Sequence, residues 1–201
     1  MQRAEREKLF RSLMAELADK GYGDLELEGP LREAGVSVAE FEVEFADKDS
    51  CLFAAYDHLA EWTVSTVIQR CEPDEEWPRR VRAGLEALLQ AIAAEPAMAR
   101  AMTRVFPGIR PSAYVRYVEL LERFVPLVRE GRDYSDLEEE LPVEVELLAV
   151  GAAEAIIFDE LDAGRAERLP RMMPEVLFSL LVPFMGPERA AEEMRSAAAA
   201  Q

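Results

Sequence analysis

The chain has 201 residues, with 40 acidic side chains against 23 basic ones and a formal charge of -17. That balance disfavours non-specific attachment to nucleic acid or anionic membrane, and a half-hydrophobic composition excludes extensive disorder away from the ends. No apolar run approaches the length that spans a bilayer, and the opening "MQRAEREKLFRSLM" has no apolar signal core, so a soluble cytoplasmic protein is expected, as one large domain or two small ones.

Taken in chain order, the apolar spacing is helical almost throughout. Leu9, Leu13, Met14 and Leu17 mark a first helix over about 3–20, ended by Gly21. A second helix is expected to start at Pro30 and stop at Gly35, and a third to run from Val38 to Phe45. Asp47 caps a fourth, which carries Cys51, Leu52, Tyr56, Leu59, Val64 and Ile68.

"CEPDEEWPRR" breaks that helix. Val81, Leu85, Leu88, Leu89 and Ile92 then keep the helical period as far as "EPAM", and a short helix over about 97–105 ends at "FPGIRP". The stretch 112–130 reads as one helix kinked at Pro126. After the acidic loop "DYSDLEEEL" come two strongly apolar helices, about 142–163 and 172–185, and "GPERAAEEM" opens a last short one. The end, "RSAAAAQ", is expected to fray. No strand alternation, internal repeat or domain linker interrupts this pattern. The fold class is all-α: a three-helix head over 1–50 and a larger helical body over 51–201.

Catalytic chemistry has little to stand on. His58 is the one histidine, with Asp57 beside it and no cysteine at metal-ligand spacing. There is no glycine-rich phosphate loop, nucleophile elbow or HExxH. Asp159, Glu160 and Asp162 form an acidic cluster of the kind that is usually solvated. The reading is no enzyme, no cofactor and no metal. Cys51 and Cys71, read on one helix 20 positions apart, would lie about 30 Å from each other, which excludes a disulfide within it and leaves two buried structural thiols.

The order of elements resembles the TetR family of bacterial transcription regulators. Gly21-Tyr22 after the first helix, Ala34-Gly35-Val36-Ser37 at the turn, Phe45 closing the third helix and Asp47-Lys48-Asp49 opening the fourth carry the likeness, and "AGRAERLPRMMPEVLFSLLVPFMGPERA" over 163–190 adds to it. The resemblance implies a homodimer of helical subunits, each with a DNA-binding helix-turn-helix head and a body holding a small-molecule pocket. It places Ser37, Val38, Ala39, Glu40, Glu42, Glu44 and Lys48 toward DNA.

The head departs from the family where DNA would be touched. Gly29 and Pro30 fall where members have a continuous second helix, which should therefore start late and be roughly a turn short. Glu42 and Glu44 stand where the family commonly has a tyrosine and a histidine, and Lys48 is the usual phosphate contact that survives. From Asp24 to Asp49 nine acids face Arg32 and Lys48, a net of -7. A carboxylate about 6 Å from a phosphate costs roughly 0.7 kcal/mol in water. Several such pairs predict weakened or atypical duplex binding.

In the body, Trp62, Trp77, Met98, Met102, Phe106, Tyr114, Tyr117, Phe124 and Phe158 come from helices that, by the resemblance, surround the cavity. Methionines beside aromatics suit a small apolar or aromatic ligand, with Arg104, Arg116 or Glu154 as polar anchors; ordinary core packing is the alternative for each. Gly151, Ala152 and Ala155 in "LLAVGAAEAIIFDEL" permit close helix approach, so 142–163 with 172–185 is the expected homodimer surface, against burial inside one subunit. Two functional readings result. One is a ligand-responsive regulator with an atypical head; the other is a dimer of the same fold that no longer binds DNA and serves as a ligand-binding or protein-interaction module, its acidic head facing a basic protein partner.

Overall fold

The computed structural model describes residues 1–136 and 140–199, helical and without strands among them. The middle of the acidic loop (137–139) and the last two residues of the alanine-rich end lie outside the described residues. The chain divides into two compact units, Met1–Trp62 with Glu95–Tyr117, and Thr63–Ala94 with Val118–Gln201.

The first unit opens with α1 (Arg3–Lys20), whose Leu9, Phe10, Leu13, Met14 and Leu17 are buried at helical spacing. Gln2 and Glu5 form a capping box at its start, and Gly21, at φ +75°, turns the chain out at its end. Next comes α2 (Glu28–Ala34), followed by α3 (Val38–Glu44), seven residues each. The start of α2 is two residues earlier than the expected Pro30. Pro30 occupies the third helical position, where its missing N–H would have had no intrahelical partner, so the ring costs nothing there. Gly35, left-handed at φ +73°, ends α2 and makes the turn into α3.

Helix α4 (Lys48–Ile68) is capped as expected: the Ser50 N–H donates to Asp47 Oδ1 at 2.7 Å and the Asp47 N–H to Ser50 Oγ at 3.1 Å. The unit is completed by α5 and its continuation, where α5 (Pro96–Arg100) passes into a π turn, Ala101–Val105, and a 3-10 turn, Phe106–Gly108. Phe106 is fully buried and stacks on Tyr56 of α4 at 4.0 Å between ring centroids. The unit takes α6 (Pro111–Glu122) as far as Tyr117.

The second unit holds α7 (Trp77–Ala94, preceding α5 in the chain), α8 (Val125–Arg129), α9 (Val145–Asp162) and α10 (Met173–Ala198), with 3-10 turns before α9 and α10. The expected single helix over 112–130 is two. Its break falls at Arg123–Phe124, ahead of Pro126, because a proline fits the first turn of a new helix better than the interior of an old one. Cys71 lies beyond the end of α4 and is half-buried, its Sγ 3.4 Å from the Val67 carbonyl, whereas Cys51 is buried and its thiol is pushed up to about 12 by burial. The expected stop near residue 185 is real in the backbone. Gly186, at φ +74°, is non-helical and kinks α10 between Pro183 and Pro187.

Trp77 is the anchor of this unit, 2% exposed. Its indole N–H donates to the Leu127 carbonyl at 3.1 Å, and its ring meets Phe184 edge-on at 5.5 Å. Gly131 lets these rings close. A Cβ there would lie 2.6 Å from both Phe184 and Trp77. Arg132 fastens the approach to α9, donating to the carbonyls of Leu141, Pro142 and Val143 and to the buried Glu146 carboxylate, which it holds below the usual carboxylate range.

Candidate nucleic-acid interface

The exposed face of α3 begins at a capping box that the sequence spells locally. The Glu40 N–H donates to Ser37 Oγ at 3.2 Å, and the Ser37 N–H donates to Glu40 Oε2 at 2.9 Å. The Ser37 hydroxyl also donates to Glu40 Oε2, at 2.7 Å; this bond, then that of the backbone N–H, holds the Glu40 carboxyl below its ordinary value. Glu40 therefore spends its charge on closing its own helix.

Glu44 is turned back toward α1. Its Oε1 lies 2.9 Å from the Met1 amino group and its Oε2 accepts from Arg6, and these two bonds, in that order, lower its carboxyl. Glu33 accepts from the Ser12 hydroxyl, Asp47 caps α4, and Asp49 accepts from Arg110 and from the Tyr22 hydroxyl. Five of the nine acids counted between Asp24 and Asp49 thus hold bonds inside the unit. Two of them, Glu44 and Asp49, face cations from outside the segment. Besides the exposed Glu40 of the cap, α3 leaves outward Val38 (61% exposed), Ala39, Glu42 and Val43 (86% exposed).

Lys48 is directed inward. Its ammonium donates to the Leu25 carbonyl at 2.9 Å and the Tyr22 carbonyl at 3.4 Å, and sits 4.8 Å from the centroid of the Tyr22 ring. Two of its three donors are thereby occupied. On the other edge of this cluster Arg110 donates to Tyr22 Oη at 3.1 Å and to Asp49, with its guanidinium 5.3 Å from the Phe53 ring. Arg110, and after it Tyr22, holds Asp49 below the ordinary carboxylate value. This network joins residues 61 and 88 positions apart, and nothing local in the sequence announces it.

Between the starts of α2, α3 and α4 lies an open groove of about 570 Å³. Leu27, Leu31, Val36, Val38, Phe41 and Ala46 give it an apolar lining, while Glu28, Glu42 and Asp47 on one count and Arg32 and Lys48 on the other supply its polar atoms. Sequence reading does not show this groove, because its walls come from three helices whose relative placement no periodicity encodes.

The residues expected around a ligand fall in both units. In the first, Phe106 is sealed, Met98 and Met102 are buried, Trp62 is half-buried beneath Arg11, Tyr117 is half-buried, and Tyr114 is exposed. In the second, Trp77 is core and Phe124 and Phe158 are half-buried. Among the suggested anchors, Arg116 pairs with Asp57 at 2.6 Å, Arg104 is exposed and Glu154 is half-buried. Asp57 is thus engaged with Arg116, and His58 packs on Phe10 with 5.5 Å between ring centroids. On α9, Leu148 (66% exposed), Ala152 and Ala155 lie exposed, and the Gly151 backbone faces open space.

No protein-family model matches the sequence, and no curated protein matches it. Among solved structures, a TetR-like transcriptional regulator from Rhodococcus sp. RHA1 superposes with a TM-score of 0.62 at 16% identity, over 89% of this chain and 96% of that one. The fold of this chain is TetR-like. No helix among the described residues is long and apolar enough to cross a membrane.

Proposed function

We propose that the protein is a homodimeric, ligand-responsive transcription regulator with a head over 1–50 that meets duplex DNA weakly and a body over 51–201 that dimerises and binds a small apolar or aromatic molecule. The observation that carries this reading is α3 itself: a capped helix after a left-handed glycine turn, holding Ser37, Val38, Ala39 and Glu42 outward. Val38 and Ala39 can meet thymine methyl groups, and Glu42 can accept from a cytosine amino group. Phosphate attraction is weak on this face, where Arg32 is the exposed cation of the groove. Lys48 has one donor left after its two backbone bonds, and Glu42 repels. The exposed stripe of Leu148, Ala152 and Ala155 on α9 supports self-association through 142–163 and 172–185. Within the first unit, the half-buried Trp62 and Tyr117 and the buried Met98 and Met102 support an apolar ligand, whereas Phe106 there and Trp77 in the second unit are core. No catalytic step is assigned.

The test is fluorescence anisotropy of the full-length protein against sheared DNA of its own host at about 50 and about 200 mM salt. A specific fragment bound at the lower salt and released at the higher is the expected result. Absence of any bound fragment at the lower salt overturns the DNA reading. The second reading, a dimer that has abandoned DNA for a protein partner, is favoured by one observation: Glu28, Glu42 and Asp47 line the groove where phosphates would have to approach.

A further inference from the structure

The groove between the starts of α2, α3 and α4 has a floor and a rim of different character. Leu31, Val36 and Phe41 are almost fully buried and form the floor, while Leu27, Val38 and Ala46 leave apolar surface along the walls. Of the two lining cations, Arg32 is exposed at the rim, while Lys48 is held by two carbonyls and a ring and cannot swing out to neutralise the acids without breaking those bonds. Exposed apolar surface of this kind, flanked by charge, marks a surface meant to be covered.

The charge decides what covers it. Duplex DNA brings phosphates against Glu28, Glu42 and Asp47, with Arg32 the exposed lining cation to meet them, and fills an apolar trough with nothing apolar beyond a methyl group. A second copy's groove would bring Glu28, Glu42 and Asp47 against the same acids. A free small molecule gains little, because an open groove buries too small a share of its surface. A basic peptide segment gains both terms. We infer that the head groove is a docking site for a basic amphipathic segment of a partner protein, which seats an aliphatic or aromatic side chain against Leu27, Val38 and Phe41 and sets lysines or arginines against Glu28, Glu42 and Asp47. This deepens the second reading above, on which it rests, and does not depend on the regulator reading. A segment seated there covers Val38 and Glu42, so it and duplex DNA exclude one another from the same face.

The experiment uses the full-length protein and fluorescein-labelled helical peptides of about 14 residues, long enough for anchors at i, i+4 and i+7. One peptide carries leucines at those spacings with lysines between, a second replaces the leucines with serine, and a third replaces the lysines with glutamate. The leucine–lysine peptide is expected to bind at least about tenfold tighter than either of the others, a difference worth about 1.4 kcal/mol. Val38→Ser should weaken it at least about tenfold, whereas Val43→Ser should not. The two variants remove the same apolar side chain from the same helix without changing its charge, one inside the groove and one outside it, and both positions are exposed enough to leave the fold intact. Equal binding of the serine–lysine peptide would reduce the effect to attraction by net charge and overturn the proposal. So would equal behaviour of the two variants, or no binding of the leucine–lysine peptide. The DNA titration above uses a different probe, so each reading can fail alone.

Discussion

Two short tracts leave large apolar side chains exposed, and they differ in what surrounds them. On α3, Val38 and Val43 stand among carboxylates, beside a groove rimmed by Glu28, Glu42 and Asp47. On α9, Leu147 and Leu148 continue into a stripe of glycine and alanine, with Ala152 and Ala155 one and two turns on. Hydrophobic exposure alone says that a surface is to be covered; the neighbours say by what. A stripe of small residues suits an identical helix approaching closely, since each subunit then offers the other a flat, uncharged face. An acid-rimmed groove rejects its own copy and suits a basic partner.

The comparison can be broken at α9 first, where the effect is expected to be largest. Leu148→Glu places a carboxylate twice in a two-fold interface, at a cost of several kcal/mol when each is left unpaired, and should yield monomers by sedimentation velocity at micromolar concentration. A dimer of unchanged stability would remove α9 from the interface. Val38→Asp should leave the oligomeric state as it is.

Asp49 offers a second test, confined to the head. Its folded carboxyl is held below the ordinary 3.8, first by Arg110 and then by Tyr22. A depressed carboxylate stabilises the fold above its unfolded value, and that contribution is lost as pH falls through the lower folded value. Asp49→Asn should therefore lower stability at neutral pH and flatten the acid side of the profile below about pH 4, read by urea unfolding across pH. An unchanged acid limb would mean that Arg110 contributes no net coupling.

Ser37→Ala removes the α3 cap and should cost about 1 kcal/mol in the same assay, with weaker binding of any occupant of α3. The smallest effect sharpens the reading of charge. Glu42→Gln should raise DNA affinity about threefold, the equivalent of one carboxylate–phosphate repulsion of about 0.7 kcal/mol. Glu44→Gln should leave affinity unaltered, because Glu44 already faces Arg6. Equal gains from both substitutions would show that the count of charges matters more than their direction.

Much of this fold is legible in the sequence, because buried residues recur at the helical period along α1, α4, α7 and α9, and because Gly21, Gly35 and Gly186 mark the stops by their backbone freedom. Pro30 misleads by two residues, since proline limits only a helix interior and the first turn is exempt. The candidate site is less legible. Ser37 and Glu40, three apart, spell a capping box, yet the family resemblance directs Glu40 toward DNA all the same. Where Glu44 and Lys48 turn depends on Arg6 and on the carbonyls of Tyr22 and Leu25, distant in the chain. Composition counts charge but does not aim it.

The π turn at Ala101–Val105 carries a consequence for the length of the chain. A π turn accommodates one residue more than an α turn, so it amounts to an insertion that the helix absorbs without unwinding. Deleting a single residue there would relieve the bulge and leave the following residues on nearly the same face, whereas a further deletion, with no bulge left to absorb it, would rotate the residues that follow by about 100° about the local axis. Phe106 would leave its stack on Tyr56, and Arg110 would point away from Asp49 and Tyr22. The grip of residue 110 on the start of α4 is thus set by the residue count in the turn just upstream, and an insertion or deletion beyond what that turn absorbs would alter the head more than most substitutions within it.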